Sequence, residues 1–340
     1  MNSHPARLIG AALIATVAGL SAPAGAETGT EGAARIWNAP PGFIPPPLNP
    51  AGVTLRTRAL APGVYALVSG QPAVDNSGFV VGEDGVLVID AHINGAMARK
   101  IQAAVREVTD KPILYLVNTN FHGDHTFGNY AFPAATRIIA HRATALRMRD
   151  FEHEKRFLLA AVDNDPTVLA EVRLRLPDLV FDDYLRVDLG GRVVELHHFG
   201  PGNTPGDTVV YVAAAKVAWT GNLVVGAGTI PPLFEGGVAR YLETIARFAG
   251  SLQTDIIIPG HGAPATGAIL GRYLAYLNEL LRSVRAAAGD GKTLEETLAS
   301  LPLGASYLPP AGSPAAALTP FLNGLHRLNV QQTYLELNGG

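Results

Sequence analysis

The order of apolar and polar positions separates an N-terminal part from a strongly alternating body. Residues 63–68 and 77–81 read as strands, and Gly85-Val86-Leu87-Val88-Ile89-Asp90 as a buried strand that ends on a carboxylate. Apolar positions at helical spacing predict a helix over 96–108, and 112–118 is a third apolar run. Beyond the polar stretch 120–129 come a short strand at 137–140, a charged helical stretch at 141–162 and a more irregular segment to Tyr184. A second series of strands follows at 185–189, 192–199, 208–212 and 217–220, then a helix at 238–248 and a strand at 255–258. From Ala268 the chain is mostly helical, interrupted by a Pro/Gly/Ser segment at 301–314. Two strand-rich halves with helices after the strands predict two sheets packed face to face, with helices outside. No repeat of solenoid period is visible.

Composition narrows this to one large α/β body. With 340 residues, 48% hydrophobic and 16% charged, the chain can bury a sizeable core. Its 26 Lys+Arg against 29 Asp+Glu are too balanced to suggest nucleic acid or an anionic membrane as partner, which leaves small molecules. At the N-terminus Arg7, the apolar stretch 8–20 and Ala24-Gly25-Ala26 have the order of a secretory leader, so residues 1–26 are expected to be removed on export to the periplasm or medium. The apolar stretch is too short to span a bilayer stably, and a buried N-terminal helix is the alternative. Residues 27–52 carry Pro40, Pro41, Pro45, Pro46, Pro47 and Pro50 and read as an extended arm, pinned to the body by Trp37, Phe43 and Ile44. The absence of cysteine fits an oxidising compartment and excludes a thiolate metal ligand.

The chemistry gathers at strand ends. His122-Gly123-Asp124-His125 places two imidazoles and a carboxylate just after a buried strand, where one loop can aim them at a single point; His and Asp are ligands that Zn²⁺ accepts. Alone, such a tetrapeptide is as readily a polar loop with incidental histidines.

Five segments in order change that balance: Ile89-Asp90; Asn120-Phe121-His122-Gly123-Asp124-His125; Gly200 to Asp207, with Gly202-Asn203-Thr204 at its centre; Trp219-Thr220-Gly221-Asn222; and Ile258-Pro259-Gly260-His261-Gly262. Together they resemble the ordered motifs of the metallo-β-lactamase superfamily, in its exported hydrolase-like branch. The resemblance covers roughly 63–265 and implies an αββα sandwich with a metal site at one edge between the sheets; the domain is expected to span 53–340, C-terminal helices included. It also implies a departure. Asn120 and Asn203 stand where the family places histidines, and Asn222 where it places a metal-bridging Asp. Carried over, the first metal site keeps only His122, while the second keeps Asp124, His125 and His261.

Two dications about 3.5 Å apart repel by roughly 19 kcal/mol even at an effective dielectric constant of about 20. With Asn222 neutral, only Asp124 supplies fixed charge among the family's ligand positions, which favours one metal in the second site. Zn²⁺ is preferred, and the two-His, one-carboxylate set also admits Fe²⁺. The resemblance makes Asp124 a catalytic as well as a ligating residue, offers His122 as a general base freed from metal, and casts Asn120, Asn203 and Asn222 as holding water or substrate oxygen. Asp90 would orient the motif loop from behind, or simply cap its strand. His92 would line the pocket mouth or be a loop residue. His197 and His198 point to opposite faces of a strand, and His141, His153 and His326 read as structural. Segments 226–237 and 142–157 either wall an apolar pocket or cover the core.

The function these features favour is an exported metal-dependent hydrolase of a small amide or ester: a lactam, lactone or ester. The alternatives are a metal-poor binding protein on the same fold and an Fe²⁺-dependent oxygenase.

Overall fold

The structure, a computed structural model, describes residues 8–9, 45–226, 228–235 and 237–339. The expected leader lies outside them except for β1 (Leu8–Ile9), a two-residue strand at a sheet edge, and the arm is described only from residue 45. Trp37, Phe43 and Ile44 therefore fall outside the described residues.

One sheet runs in chain order through β2 (Leu55–Ala61), β3 (Val64–Ser69), β4 (Ser77–Val81), β5 (Val86–Ile89), β6 (Ile113–Asn118), β7 (Arg137–His141) and β8 (Leu179–Phe181). It is antiparallel up to β5 and parallel beyond. The second sheet has the order β1, β9 (Tyr184–Asp188), β10 (Val193–His197), β11 (Val209–Val212), β12 (Val217–Trp219), β13 (Ile256–Ile258), parallel only between the last two. The facing sides of both sheets supply one core layer, in which Leu87, Ile89 and Val117 meet Leu196, Val210 and Trp219.

Helices cover the outer faces. α1 (Gly95–Val108) starts where the Asn94 side chain accepts the Met97 N–H, and its buried stripe Met97, Ile101 and Val105 recurs every four residues, as one helix face requires. The first sheet also carries the one-turn α2 (Gly123–Thr126), α3 (Arg142–Arg147) and α4 (Phe151–Ala161). Over the second sheet lie α5 (Val238–Ser251), α6 (Ala268–Gly289), α7 (Leu294–Ser300) and α8 (Thr319–Leu337), with Tyr241, Phe248 and Tyr273 fully buried between them and the strands. The layers are α, β, β, α.

The elements differ from expectation in three places. β2 has no apolar alternation, because four of its seven residues are exposed; as an edge strand it carries Arg56 and Arg58, charges that discourage pairing with another chain. β8 sits inside the segment read as irregular. The charged stretch 141–162 divides into α3 and α4 around a short 3₁₀ turn.

His141 ends β7 and caps α3: its Nδ1 accepts the Ala143 N–H at 3.1 Å, while its ring stacks on His198. Burial first, and then His198, push its pKa from 6.5 down to about 4. A depressed value means the neutral ring contributes stability that is complete above about pH 6.5 and lost as pH falls through about 4. His141→Asn keeps a capping acceptor without the titration. Urea unfolding at pH 7 and pH 5 should show a stability loss smaller by roughly 1 kcal/mol in the variant than in the parent; equal losses would refute the assignment.

Candidate metal centre

Three loops at the ends of inner strands meet at one edge of the sandwich. After β5, Asp90 and His92 both take left-handed backbone angles, φ 59° and 65°, which turn the chain sharply back. The turn is sewn to the motif loop, where Ala91 N–H bonds the His125 carbonyl and Gly128 N–H the His92 carbonyl. At Gly128 a Cβ would lie 1.9 Å from the Ala91 carbonyl oxygen, so only glycine permits the approach. Asp90, buried, accepts the Thr119 N–H and hydroxyl at 2.8 and 2.7 Å and faces His125 Nδ1 at 2.9 Å. Strand cap and histidine orienter are thus one arrangement.

That contact holds Nδ1 of His125 protonated and leaves Nε2, fully buried and without a hydrogen-bond partner among the described residues, as the nitrogen on which a metal would replace a proton. In His261, Nδ1 donates to the Ala73 carbonyl at 2.8 Å, and Nε2 faces the cleft beside the Asn222 carboxamide, 3.0 Å away. Asp124 Oδ2 lies 3.8 Å from His125 Nε2 and 3.6 Å from His261 Nε2. Donors around a tetrahedral zinc stand roughly 3.3–3.5 Å apart, given metal–ligand bonds of about 2.0–2.1 Å. The orphaned His125 Nε2, with Asp124 and His261 at near-ligand spacing, fits a divalent metal.

Two further carboxylates belong to this region, and both escaped sequence reasoning. Asp75, on the loop before β4, joins Asp124, His125 and His261 in a cluster whose ligand atoms all lie within 4.8 Å of one another. Asp75 stands outside the family's ligand positions, yet adds a second carboxylate to the cluster. Glu154 on α4 is 7% exposed, faces His122 Nδ1 at 3.1 Å and accepts the Gly123 N–H at 3.0 Å. It is hidden in sequence because Glu152, Lys155 and Arg156 surround it and make the stretch read as a solvated face.

Titration follows from these contacts. Burial lowers His122, but Glu154 outweighs it and raises the imidazole above its ordinary value. Burial likewise opposes charge on His125, yet Asp90 and Asp124 push it up to about 10. His261, depressed by burial to about 4, is neutral at pH 7. Burial raises Asp124, and His125 and His261 more than compensate, holding it below the carboxylate range.

The other expected residues are distributed unevenly. Asn222 lines the cleft, its carboxamide 3.0 Å from His261 Nε2. Asn120 and Asn203 are fully buried; the first caps the loop by accepting the His122 N–H at 2.9 Å, and the second has its Nδ2 3.5 Å from the Pro232 carbonyl. His92 lies fully buried behind Asp75, not at the mouth. His197 pairs with Glu195 and His198 bonds the Asp207 carbonyl, so neither joins the ligand cluster.

Above the ligands opens a cleft with apolar walls. Segments 142–157 and 226–237 both reach it, through Phe157 and through Pro232 and Phe234. Buried Arg147 fixes the latter wall by pairing with Glu235. Two walls were not anticipated: Pro46 and Pro47 of the arm, and Phe321 and Leu325 of α8.

The sequence profile of the metallo-beta-lactamase superfamily matches residues 71–261, more than half of the chain and the whole of the site. This chain belongs to the metallo-β-lactamase superfamily. Among curated relatives, the linear primary-alkylsulfatase of Pseudomonas sp. (strain ATCC 19151) is 24% identical over 222 residues, covering 54% of this chain and 40% of that protein. Among solved structures, a stereoselective inverting sec-alkylsulfatase from Pseudomonas sp. superposes with a TM-score of 0.62 at 17% identity, covering 83% of this chain and 50% of that one. A metallo-beta-lactamase from Pontibacter korlensis superposes with a TM-score of 0.53 at 18% identity, covering 66% and 99%. The chain thus spans half or less of the alkylsulfatases it matches, and at these identities the structural likeness speaks for the metallo-β-lactamase fold alone.

Proposed function

We propose that this chain is a metal-dependent hydrolase of a small ester or amide that carries an apolar group, working with one divalent metal at Asp124, His125 and His261. The observation that carries this reading is that Asp124 and His261, with His122 and Asn222, line an apolar cleft, with His125 in the same cluster behind them. A dication bound there supplies Lewis acidity and a water of lowered pKa. Zn²⁺ is the preferred ion, and the same donors admit Fe²⁺.

The chain's own groups divide the remaining work. The cleft walls hold the apolar part of the substrate and exclude water from the reacting bond. His122, with Nδ1 turned to Glu154, presents a buried, unpartnered Nε2 that can accept a proton from an attacking water. Asn222, in the cleft lining, would hold a substrate oxygen. Asn120 and Asn203 act one layer back, on the loops. The reacting bond is a lactam, lactone or carboxylic ester; the alkylsulfatase relatives and the apolar walls add a second class, an alkyl sulfate ester. Export, with cleavage after Ala26, remains part of the proposal; among the described residues no helix is long and apolar enough to cross a membrane.

Elemental analysis of protein expressed without added metal should find about one tightly held equivalent per chain. Restoring Asn120→His, Asn203→His and Asn222→Asp together should move the count toward two, because it returns two first-site imidazoles and the bridging carboxylate. Two equivalents in the parent would contradict the single-metal reading, and none would favour a binding protein on this fold.

A further inference from the structure

Asp75 is a buried carboxylate with unusual company. It is 1% exposed, its Oδ1 has no hydrogen-bond partner, and no Lys or Arg pairs with it among the described residues. Its neighbours are imidazoles: His261 Nδ1 stands 3.1 Å from Oδ1 and His92 Nδ1 3.4 Å from Oδ2. His261 Nδ1 already donates to the Ala73 carbonyl, so it offers Asp75 proximity and not a second proton. Its carboxylate lies in the same cluster as Asp124, His125 and His261, where one ligand atom from each residue stands within 4.8 Å of the others, and a buried carboxylate oxygen left without a hydrogen-bond partner calls for something to bind.

The backbone holds Asp75 in place firmly. It forms an isolated β-bridge with His261. The adjacent Asn76 clips the two loops together, its N–H bonding the Gly260 carbonyl at 2.7 Å and its amide the Pro259 and Gly262 carbonyls at 3.0 and 2.8 Å. From the other side Asn76 Oδ1 accepts the Ser69 N–H. A side chain carried on so constrained a loop is preorganised for whatever it binds.

We propose that Asp75 is a fourth protein ligand of the metal held by Asp124, His125 and His261, which makes the centre a two-histidine, two-carboxylate site. The inference rests on the metal-dependent reading above. It explains why a carboxylate oxygen without a hydrogen-bond partner is buried within ligand spacing of Asp124, His125 and His261. His92 is a positioning residue for Asp75; its buried neutral ring can donate one N–H to Oδ2 and so aim Oδ1 inward. Two carboxylates neutralise one dication by themselves, so charge balance does not require hydroxide.

The experiment calibrates Asp75 against residues of known position in the same protein. Metal-free parent, Asp75→Asn, Asp124→Asn and Asp90→Asn are titrated with Co²⁺ against a chromophoric chelator, with circular dichroism as the check on folding. Asp90 touches the site only through His125, and loss of such an outer partner costs about 10–100-fold in affinity. Asp75→Asn should match Asp124→Asn and weaken binding by more than about 10³-fold, beyond that outer-partner range. If Asp75→Asn falls with Asp90→Asn, or binds as the parent does, the proposal is overturned while the metal site stands; if the parent binds no metal, both fail together. Should Asp75→Asn not fold, Asp75→Cys gives a second reading, because the chain has no other thiol. A thiolate-to-cobalt charge-transfer band supports direct ligation, and its absence from a variant that binds Co²⁺ stoichiometrically overturns it.

Discussion

His122→Ala is expected to leave metal content nearly unchanged while cutting turnover by roughly 10²–10⁴, the usual worth of a general base, whereas Asp124→Ala should empty the site. The two residues share one four-residue motif, so the contrast separates chemistry from binding at close quarters. His122 is coupled to Glu154 and shows no ligand-spaced contact with the cluster that gathers Asp75, Asp124, His125 and His261. Its first-site companions cannot help it bind: an amide oxygen is neutral and its nitrogen has no free lone pair, and Asn120 is already committed to the loop backbone. Asp124, by contrast, stands between the Nε2 atoms of His125 and His261. Activity has first to be found on a panel of β-lactams, lactones, aryl esters and alkyl sulfates, while metal content can be read without it. If His122→Ala loses its metal as completely as Asp124→Ala, the first site is occupied and the single-metal assignment is wrong.

Trp219→Ala should destabilise the fold by about 3–5 kcal/mol, the usual cost of removing a buried large aromatic side chain. Trp219 is 2% exposed in the layer between the sheets, and its Nε1 donates to the Ser77 carbonyl on the opposite sheet at 3.3 Å. Gly78 makes room for it; a Cβ there would come within 2.3 Å of Nε1. The substitution therefore opens a cavity where both sheets meet and removes the partner of a buried carbonyl. The loss should appear as a lower urea midpoint, and a change below about 1 kcal/mol would mean the sheets close over the gap.

Several features were legible before any coordinates, each for a local reason. β5 reads as a buried strand because all four of its residues are apolar, and α1 reads as a helix because its apolar stripe has one period. The motif loop is legible because His122, Asp124 and His125 are contiguous. His261 came only through the resemblance, since one Gly-flanked histidine has no signal of its own. β2 was missed because an edge strand with charged, exposed residues lacks alternation, and the break between α3 and α4 because a short 3₁₀ turn barely disturbs helical spacing.

The sequence by itself thus determined the layer order and the family, because these rest on periodicity and on motifs read within a few consecutive residues. Only the tertiary structure decided the rest. Glu154 meets His122 across 32 residues of chain, and the Asn76 amide clips the Asp75 loop to the His261 loop across 183 and 186. The arm and α8 close the cleft from opposite ends of the described chain. Contacts of that range are set by how the two sheets pack and where their loops converge. Neither spacing nor composition along the chain records that, so a lone Asp or Glu in sequence looks the same whether it ends in solvent or beside a histidine.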